Sequence, residues 1–279
     1  MLYLWDVVIF LFGTALGSFV GVIADRYNTG LPFFKGRSIC FSCNTKLKNK
    51  DLFPIFSFLF LKGRCRYCQA KIPISAIIIE IIMGILVVLV AFETGFLSLE
   101  LRAWSLEMGI SFLLITALFS IILLISIYDL KHFIIPDAFL IAFFVFALSF
   151  KLLALSLPAI LFNLVTGIIL ALPFLLIFLI SKGRWFGFGD VKYIAVLGFF
   201  LGPAMGLSAI ILAFWIGAVF SVLVLLIKKI KSHINLPLFS NNFTIKSEIP
   251  FGPFLSLGII LSFLLNLDIF QIKFLLNVF

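Results

Sequence analysis

GISFLLITALFSIILLISIY, from Gly109 to Tyr128, holds no charged residue and runs straight into Asp129. As a helix it is about 30 Å long, the thickness of a bilayer's hydrocarbon core. Seven further apolar segments flank it, at Leu4–Ala24, Ile72–Phe92, Ile134–Phe150, Ala159–Ile180, Val191–Leu201, Ala204–Ile227 and Phe251–Asn266. The whole chain is 63% hydrophobic and 12% charged, against about 45–50% and 25% for soluble domains. That composition excludes a soluble globular domain, a disordered chain and a small disulfide scaffold. It predicts an all-α polytopic membrane protein with about eight transmembrane helices. Leu4–Ala24 lacks a basic flank before it and a small-residue exit, so it reads as a span and not as a cleaved signal. Val191–Leu201 is roughly 16 Å long as a helix, which suits a short tilted helix or half of a re-entrant hairpin with the next segment.

Lys and Arg set the orientation. The loop from Asp25 to Lys71 carries ten of them against two Asp, and the turns on the same side add Lys131, Lys182, Arg184, Lys192, Lys228, Lys229, Lys231 and Lys246. The opposite side has Arg102, Lys151 and Lys273. This split of 18 to 3 predicts a cytoplasmic first loop and both termini outside. The net charge of +9 is then mainly a topology signal next to anionic headgroups, which weighs against nucleic acid as a partner. Three parts are expected: a first transmembrane helix (1–24), a cytoplasmic loop domain (25–71) and a membrane-embedded core (72–279).

All four cysteines lie in the first loop, as Cys40-x-x-Cys43 and Cys65-x-x-Cys68. Each pair offers two thiolates from one tight turn, the arrangement tetrahedral Zn²⁺ needs. Cytosolic thiols stay reduced, so a disulfide is the lesser reading. A closed four-thiolate site leaves no position for water, which predicts a structural zinc. Arg37, Lys46, Arg64 and Arg66 stand nearby in sequence to offset its net −2 charge.

Ionisable groups within or at the edge of spans are costly and mark function by default. Four acids qualify: Glu80, Asp129, Asp137 and Asp190. Asp129 ends one span and Asp190, in Gly187-Phe188-Gly189-Asp190, follows another on the same side. Two carboxyls that meet do not both ionise easily, so one keeps a proton and the pair supplies a general base and a general acid. The competing reading makes each Asp a helix cap or interfacial anchor, Asp137 after Pro136 above all. Gly187 and Gly189 remove side chains beside Asp190, letting backbone or an extended peptide approach. Lys192 reads as a site cation or a snorkelling anchor. Glu80 lines a polar cavity, pairs with a base, or is a protonated core residue. His132 and His233 read as interfacial, and the prolines of Ile249-Pro250-Phe251-Gly252-Pro253 as a helix start.

Taken together, these residues resemble the bacterial type IV prepilin peptidases, membrane aspartic proteases with a GxGD motif. The likeness runs through Gly17-Ser18-Phe19, Arg26, both Cys pairs, Asp51-Leu52-Phe53-Pro54, Ile72-Pro73-Ile74-Ser75 with Glu80, the Asp129–Asp137 stretch, Gly187–Lys192 and Ile249–Gly258. The chain departs from the usual pattern at Val20-Gly21 and Tyr27-Asn28. The resemblance implies that Asp129 and Asp190 are the catalytic dyad; on the residues themselves Gly187, Gly189, Lys192, Glu80 and Asp137 are the supporting candidates, with Asp137 the competing partner for the dyad. It implies prepilin or pseudopilin substrates, cut after Gly at the cytoplasmic face of the cell membrane. It also implies N-methylation of the new terminal Phe with S-adenosylmethionine as donor; the residues that bind the donor are not identified by the sequence, and the cysteine loop and the region near Glu80 are the expected location. Two other classes remain open on the residues alone: an ion-coupled secondary transporter using the intramembrane acids, which would favour internal repeats, and a membrane redox protein using the Cys pairs.

Overall fold

The structure is a computed structural model, and it describes residues 2–30, 32, 38–40, 42–96, 105–230 and 249–271. Lys35, Arg37, Arg102, Lys231, His233, Lys246 and Lys273 lie outside the described residues. Eight α-helices follow in order: α1 (Leu2–Arg26), α2 (Phe56–Phe60), α3 (Ile74–Glu93), α4 (Leu106–His132), α5 (Asp137–Ala154), α6 (Leu157–Ser181), α7 (Phe188–Ile230) and α8 (Gly252–Leu264). Among the described residues there is no β-strand, only two isolated antiparallel bridges in the cysteine loop. Among the described residues six helices, α1 and α3 to α7, are long and apolar enough to cross a membrane. The chain is therefore an all-helical, multi-pass membrane protein.

The count of six differs from the eight segments for two local reasons. Helix α8 has 13 residues, about 20 Å, short of a full crossing. Helix α7 absorbs two segments, because Gly202 interrupts it at φ 77° and ψ −176° just before Pro203. A Cβ on Gly206 would stand 3.4 Å from the Cα of Gly198, whereas eight residues of straight helix span about 12 Å. The chain thus folds back at Gly202 into two arms, 188–201 and 203–230, and the first arm is only about 21 Å long. A positive φ at this position favours glycine, and proline supplies the start of the second arm.

The chain divides into two compact units. The first holds residues 1–127 and 145–154. Within it α1 packs along α3, with Val20, Met83, Val87 and Val90 buried. A Cβ on Gly17 would lie 2.9 Å from the Glu80 Cα and the Ile79 carbonyl oxygen. Gly17 therefore lets the two helix backbones touch, the small-residue packing used where lipid removes the hydrophobic drive. The second unit holds 128–144 and 155–279. In it α7 packs against α6 and α8 around the fully buried Tyr193, Phe143, Phe199, Leu255 and Ile259. Phe143 meets the rings of Tyr193 and Phe200 edge-on, at 6.0 and 5.8 Å.

Candidate active site and metal centre

Asp129 and Asp190 both belong to the second unit, each at a helix end. Asp129 stands one turn before the close of α4 and is only 4% exposed. Phe133, in the left-handed region at φ 56°, terminates that helix and returns its N–H to the Asp129 carbonyl at 2.8 Å. Asp190 is the third residue of α7, and its carboxylate accepts the backbone N–H of Gly187. This is one half of a capping box, in which an acid in the first turn reaches back to the residue before the helix. The charge of Asp129 acts on Asp190, and both carboxyls act on Tyr193 one turn further along α7.

Close backbone approach assembles this region. A Cβ on Gly189 would lie 3.2 Å from the Cβ of Ile135. Gly189 therefore seats the start of α7 against the turn joining α4 to α5, while a Cβ on Gly187 would meet the Asp190 carboxylate at 3.0 Å. The remaining support comes from α8. The backbone N–H of Gly252 donates to Asp129 Oδ2 at 2.9 Å. As the first residue of α8 it carries one of the N–H groups that a helix leaves unpaired. Its carbonyl accepts from Ser256 Oγ at 2.9 Å, and the Ser256 hydroxyl lies 2.8 Å from that of Tyr193. With Ser256 donating to Gly252, Tyr193 donates to Ser256. A buried chain of hydrogen bonds thus runs from α7 through α8 to Asp129.

Asp137 stands apart from this chain. It is the first residue of α5 and forms an ion pair with Lys192, and its side chain is mostly exposed. Lys192 also covers the Phe188 ring at 5.0 Å. The His132 ring lies tilted against that of Tyr128, with centroids 4.3 Å apart. Glu80 belongs to the first unit, where Oε2 accepts the Ile55 N–H at 2.7 Å and the carboxylate also accepts from Ser18. Ile135, Gly252 and Ser256 lie in stretches that carry the family resemblance, but no sequence signal marked their contacts around Asp129, and Tyr193 had no signal of its own.

The cysteine loop consists of two copies of one turn. In the first, Cys40 N–H donates to the Thr45 carbonyl and Asn44 N–H to the Cys40 carbonyl, with Asn44 at φ 54°. In the second, Cys65 bonds Ala70 and Gln69 bonds Cys65 in the same way, with Gln69 at φ 59°. A bridge closes each turn, Ile39 with Lys46 and Arg64 with Lys71. The four ligand sulfurs lie within 4.8 Å of one another, Cys40 and Cys68 at 3.8 Å. Sulfurs around one tetrahedral ion at about 2.3 Å sit about 3.8 Å apart, so the donor set fits a metal. Backbone N–H groups of Cys43 and Ser42 lower the Cys40 thiol, and those of Cys68 and Tyr67 lower Cys65. The Thr45 side chain and backbone lower Cys43. Cys68 accepts from the Ala70 N–H, yet burial and three neighbouring sulfurs push it up to about 12.

Asp51 braces this loop. Its carboxylate accepts from Arg66 Nε at 2.6 Å, Tyr67 O–H at 3.1 Å and the Lys48 N–H at 3.1 Å. Burial opposes its charge, but these three donors outweigh burial and hold the carboxyl below its usual range. The same environment raises the Tyr67 phenol, through burial first and then the Asp51 carboxylate.

Two family descriptions match this layout. The bacterial peptidase A24 N-terminal domain matches residues 11–94, and the type IV leader peptidase family matches residues 116–222. The chain belongs to the type IV leader peptidase family. The first match takes in α1, the cysteine loop and α3, and the second holds both Asp129 and Asp190. A prepilin leader peptidase/N-methyltransferase of Bacillus subtilis is 28% identical over 261 residues, 92% of this chain and 93% of that one. Its namesake in Klebsiella pneumoniae is 29% identical over 209 residues, 72% of this chain and 86% of that protein. A type 4 prepilin-like proteins leader peptide-processing enzyme of Escherichia coli is 28% identical over 272 residues, 88% of each. No solved structure matches the chain.

Proposed function

We propose that this leader peptidase is a membrane aspartic endopeptidase that removes the short basic leader of type IV prepilins or pseudopilins after Gly and then methylates the new N-terminal Phe. The observation that carries the peptidase reading is the buried Asp129, fixed by a backbone N–H and within electrostatic range of Asp190 at the start of α7. Two carboxyls that share one proton can act in opposite senses at once. The ionised member takes a proton from water as its oxygen attacks the scissile carbonyl carbon. The protonated member delivers a proton to the leaving nitrogen as the C–N bond breaks. The products are a leader ending in a carboxylate and a mature pilin with a free amine. The pair titrates as a unit, so both residues serve as acid and as base over a cycle.

The excess of Lys and Arg on one side supports a cytoplasmic active face and both termini outside, and the two arms of α7 and the short α8 bring the membrane-associated helical segments to eight. A basic leader would then wait in the cytoplasm while the apolar residues after the cut lie in the bilayer, and the dyad at the helix ends suits that depth. S-adenosylmethionine, when bound, would supply a sulfonium methyl group that passes to the new amine as the S–CH₃ bond breaks, leaving S-adenosylhomocysteine and a proton. Zn²⁺ held by Cys40, Cys43, Cys65 and Cys68 would be structural, because four thiolates leave it no open position. Its function is to fold a loop too small for a core of its own.

Cleavage of a full-length prepilin by Asp129→Asn and Asp190→Asn variants tests this reading. Each should lose cleavage, while Asp137→Asn, which breaks only the exposed pair with Lys192, should keep it. Full activity of either dyad variant removes that residue from the chemistry. Mass spectrometry of the product's N-terminus reads the cut position and the added methyl group together.

A further inference from the structure

The cysteine loop carries a cluster of large apolar side chains that zinc binding leaves unexplained. Phe53, Leu59 and Phe60 are 60%, 61% and 82% exposed, and Leu52 and Phe56 are also open. Phe53, Phe56, Ser57, Phe60 and Leu61 line a groove of about 630 Å³ together with Lys50 and Arg66. The volume lies within the range of small-ligand sites. Arg66 gives Nε to Asp51, which leaves the rest of its guanidinium for a second anion.

The depth of this cluster follows from a single hydrogen bond. Ile55 donates its N–H to Glu80 at 2.7 Å, and Glu80 is the seventh residue of α3, about 9 Å along that helix from its start. Helix α3 begins at Ile74 and is long and apolar enough to cross a membrane. The Glu80 side chain leans back toward the start of α3, so the chain around Ile55 lies beside the first turns of a spanning helix. Near the hydrocarbon boundary water is scarce, so a backbone N–H there is best satisfied by a protein acceptor. Glu80 is that acceptor. Ile55 itself sits at φ 60° and ψ −53°, an unfavourable conformation for a β-branched residue, held where its surroundings over-determine it.

We propose that residues 52–61 are inserted in the bilayer interface, and that the groove takes an acyl chain of an anionic phospholipid whose phosphate meets Lys50 and Arg66. Exposed aromatic side chains beside cations are the composition of interfacial elements buried about 5–10 Å into the headgroup boundary. Charge selects the lipid over the other candidate occupant. A basic leader peptide is repelled by Lys50 and Arg66, whereas an anionic headgroup is attracted. The proposal stands apart from the cleavage reading, since its test reads lipid contact and not turnover.

Full-length protein carrying Phe60→Trp, in nanodiscs of phosphatidylglycerol and phosphatidylcholine, provides the probe, with the parent protein's tryptophans as background. Brominated acyl chains should quench the added fluorescence and aqueous iodide should not. Quenching by iodide alone overturns the insertion. Displacement of the bromolipid contact by S-adenosylmethionine overturns the lipid as occupant and assigns the groove to the methyl donor. Lipid retained by the detergent-purified protein should favour phosphatidylglycerol, and Lys50→Gln should reduce that preference about fivefold, the worth of one cation near an anionic surface. Equal retention of both lipids by the parent protein overturns the headgroup assignment. One zinc per chain in every variant shows that the loop is still folded.

Discussion

A single methyl group at Gly252 tests the geometry around Asp129 directly. The Gly252 N–H holds Asp129 Oδ2 at 2.9 Å, so the two groups already touch along one line. In Gly252→Ala, the new Cβ would stand 2.6 Å from that oxygen, 3.2 Å from Cγ and 3.3 Å from Cβ of Asp129. Three atoms of one side chain are crowded, so turning the carboxylate does not clear the clash. Reaching an ordinary contact of 3.4 Å moves the acid by about 0.8 Å, and misplacement by about 1 Å costs on the order of 10²-fold in rate. Cleavage of full-length prepilin in proteoliposomes should therefore fall about 30-fold in kcat with KM little changed, the pattern of an interaction used in the transition state. Methyl transfer to a synthetic peptide with the mature N-terminus should survive and serves as the folding control. A variant that cleaves within twofold of the parent, with methyl transfer intact, would refute the assignment of Asp129's position to α8.

Tyr193→Phe removes the donor to Ser256 at the far end of the same chain of hydrogen bonds, and should lower cleavage about fivefold, the equivalent of about 1 kcal/mol, without changing KM. Asp51→Asn should hasten zinc release to a chelator by weakening a charge-assisted bond worth on the order of 2 kcal/mol. Because the Asp51 carboxyl is held below its usual value, its stabilisation is fully present above the unfolded value of about 3.9 and is lost as pH falls through the lower folded value. The difference in loop stability between parent and Asp51→Asn should accordingly be flat above about pH 4 and shrink below it. At Glu80 the Ile55 N–H needs only an acceptor, so Glu80→Gln should be mild. Glu80→Ala should destabilise by about 1–3 kcal/mol, read as faster proteolysis between residues 52 and 61.

Some of this protein was legible without coordinates because the physics involved is local. Apolar length alone marks Gly109–Tyr128 and its neighbours as membrane helices, since a bilayer has one thickness. Two Cys-x-x-Cys turns meet the demand of a tetrahedral ion from four residues each. The interruption at Gly202-Pro203 was visible as a gap between two apolar runs. The long-range pairings were not legible. Asp129 is held by Gly252, Asp137 by Lys192, Tyr193 by Ser256 and Ile55 by Glu80. Each joins residues at least 25 positions apart; Asp129, Asp137, Lys192 and Gly252 each had a local explanation as a cap, an anchor or a helix start, and no sequence signal marked Tyr193, Ser256 or Ile55. Hydrophobic pattern reports which face of a helix is covered, but not which polar group will face it across the gap. That choice belongs to the packing of backbones, and here it was made by glycines whose missing side chains let α7 and α8 close on the acids.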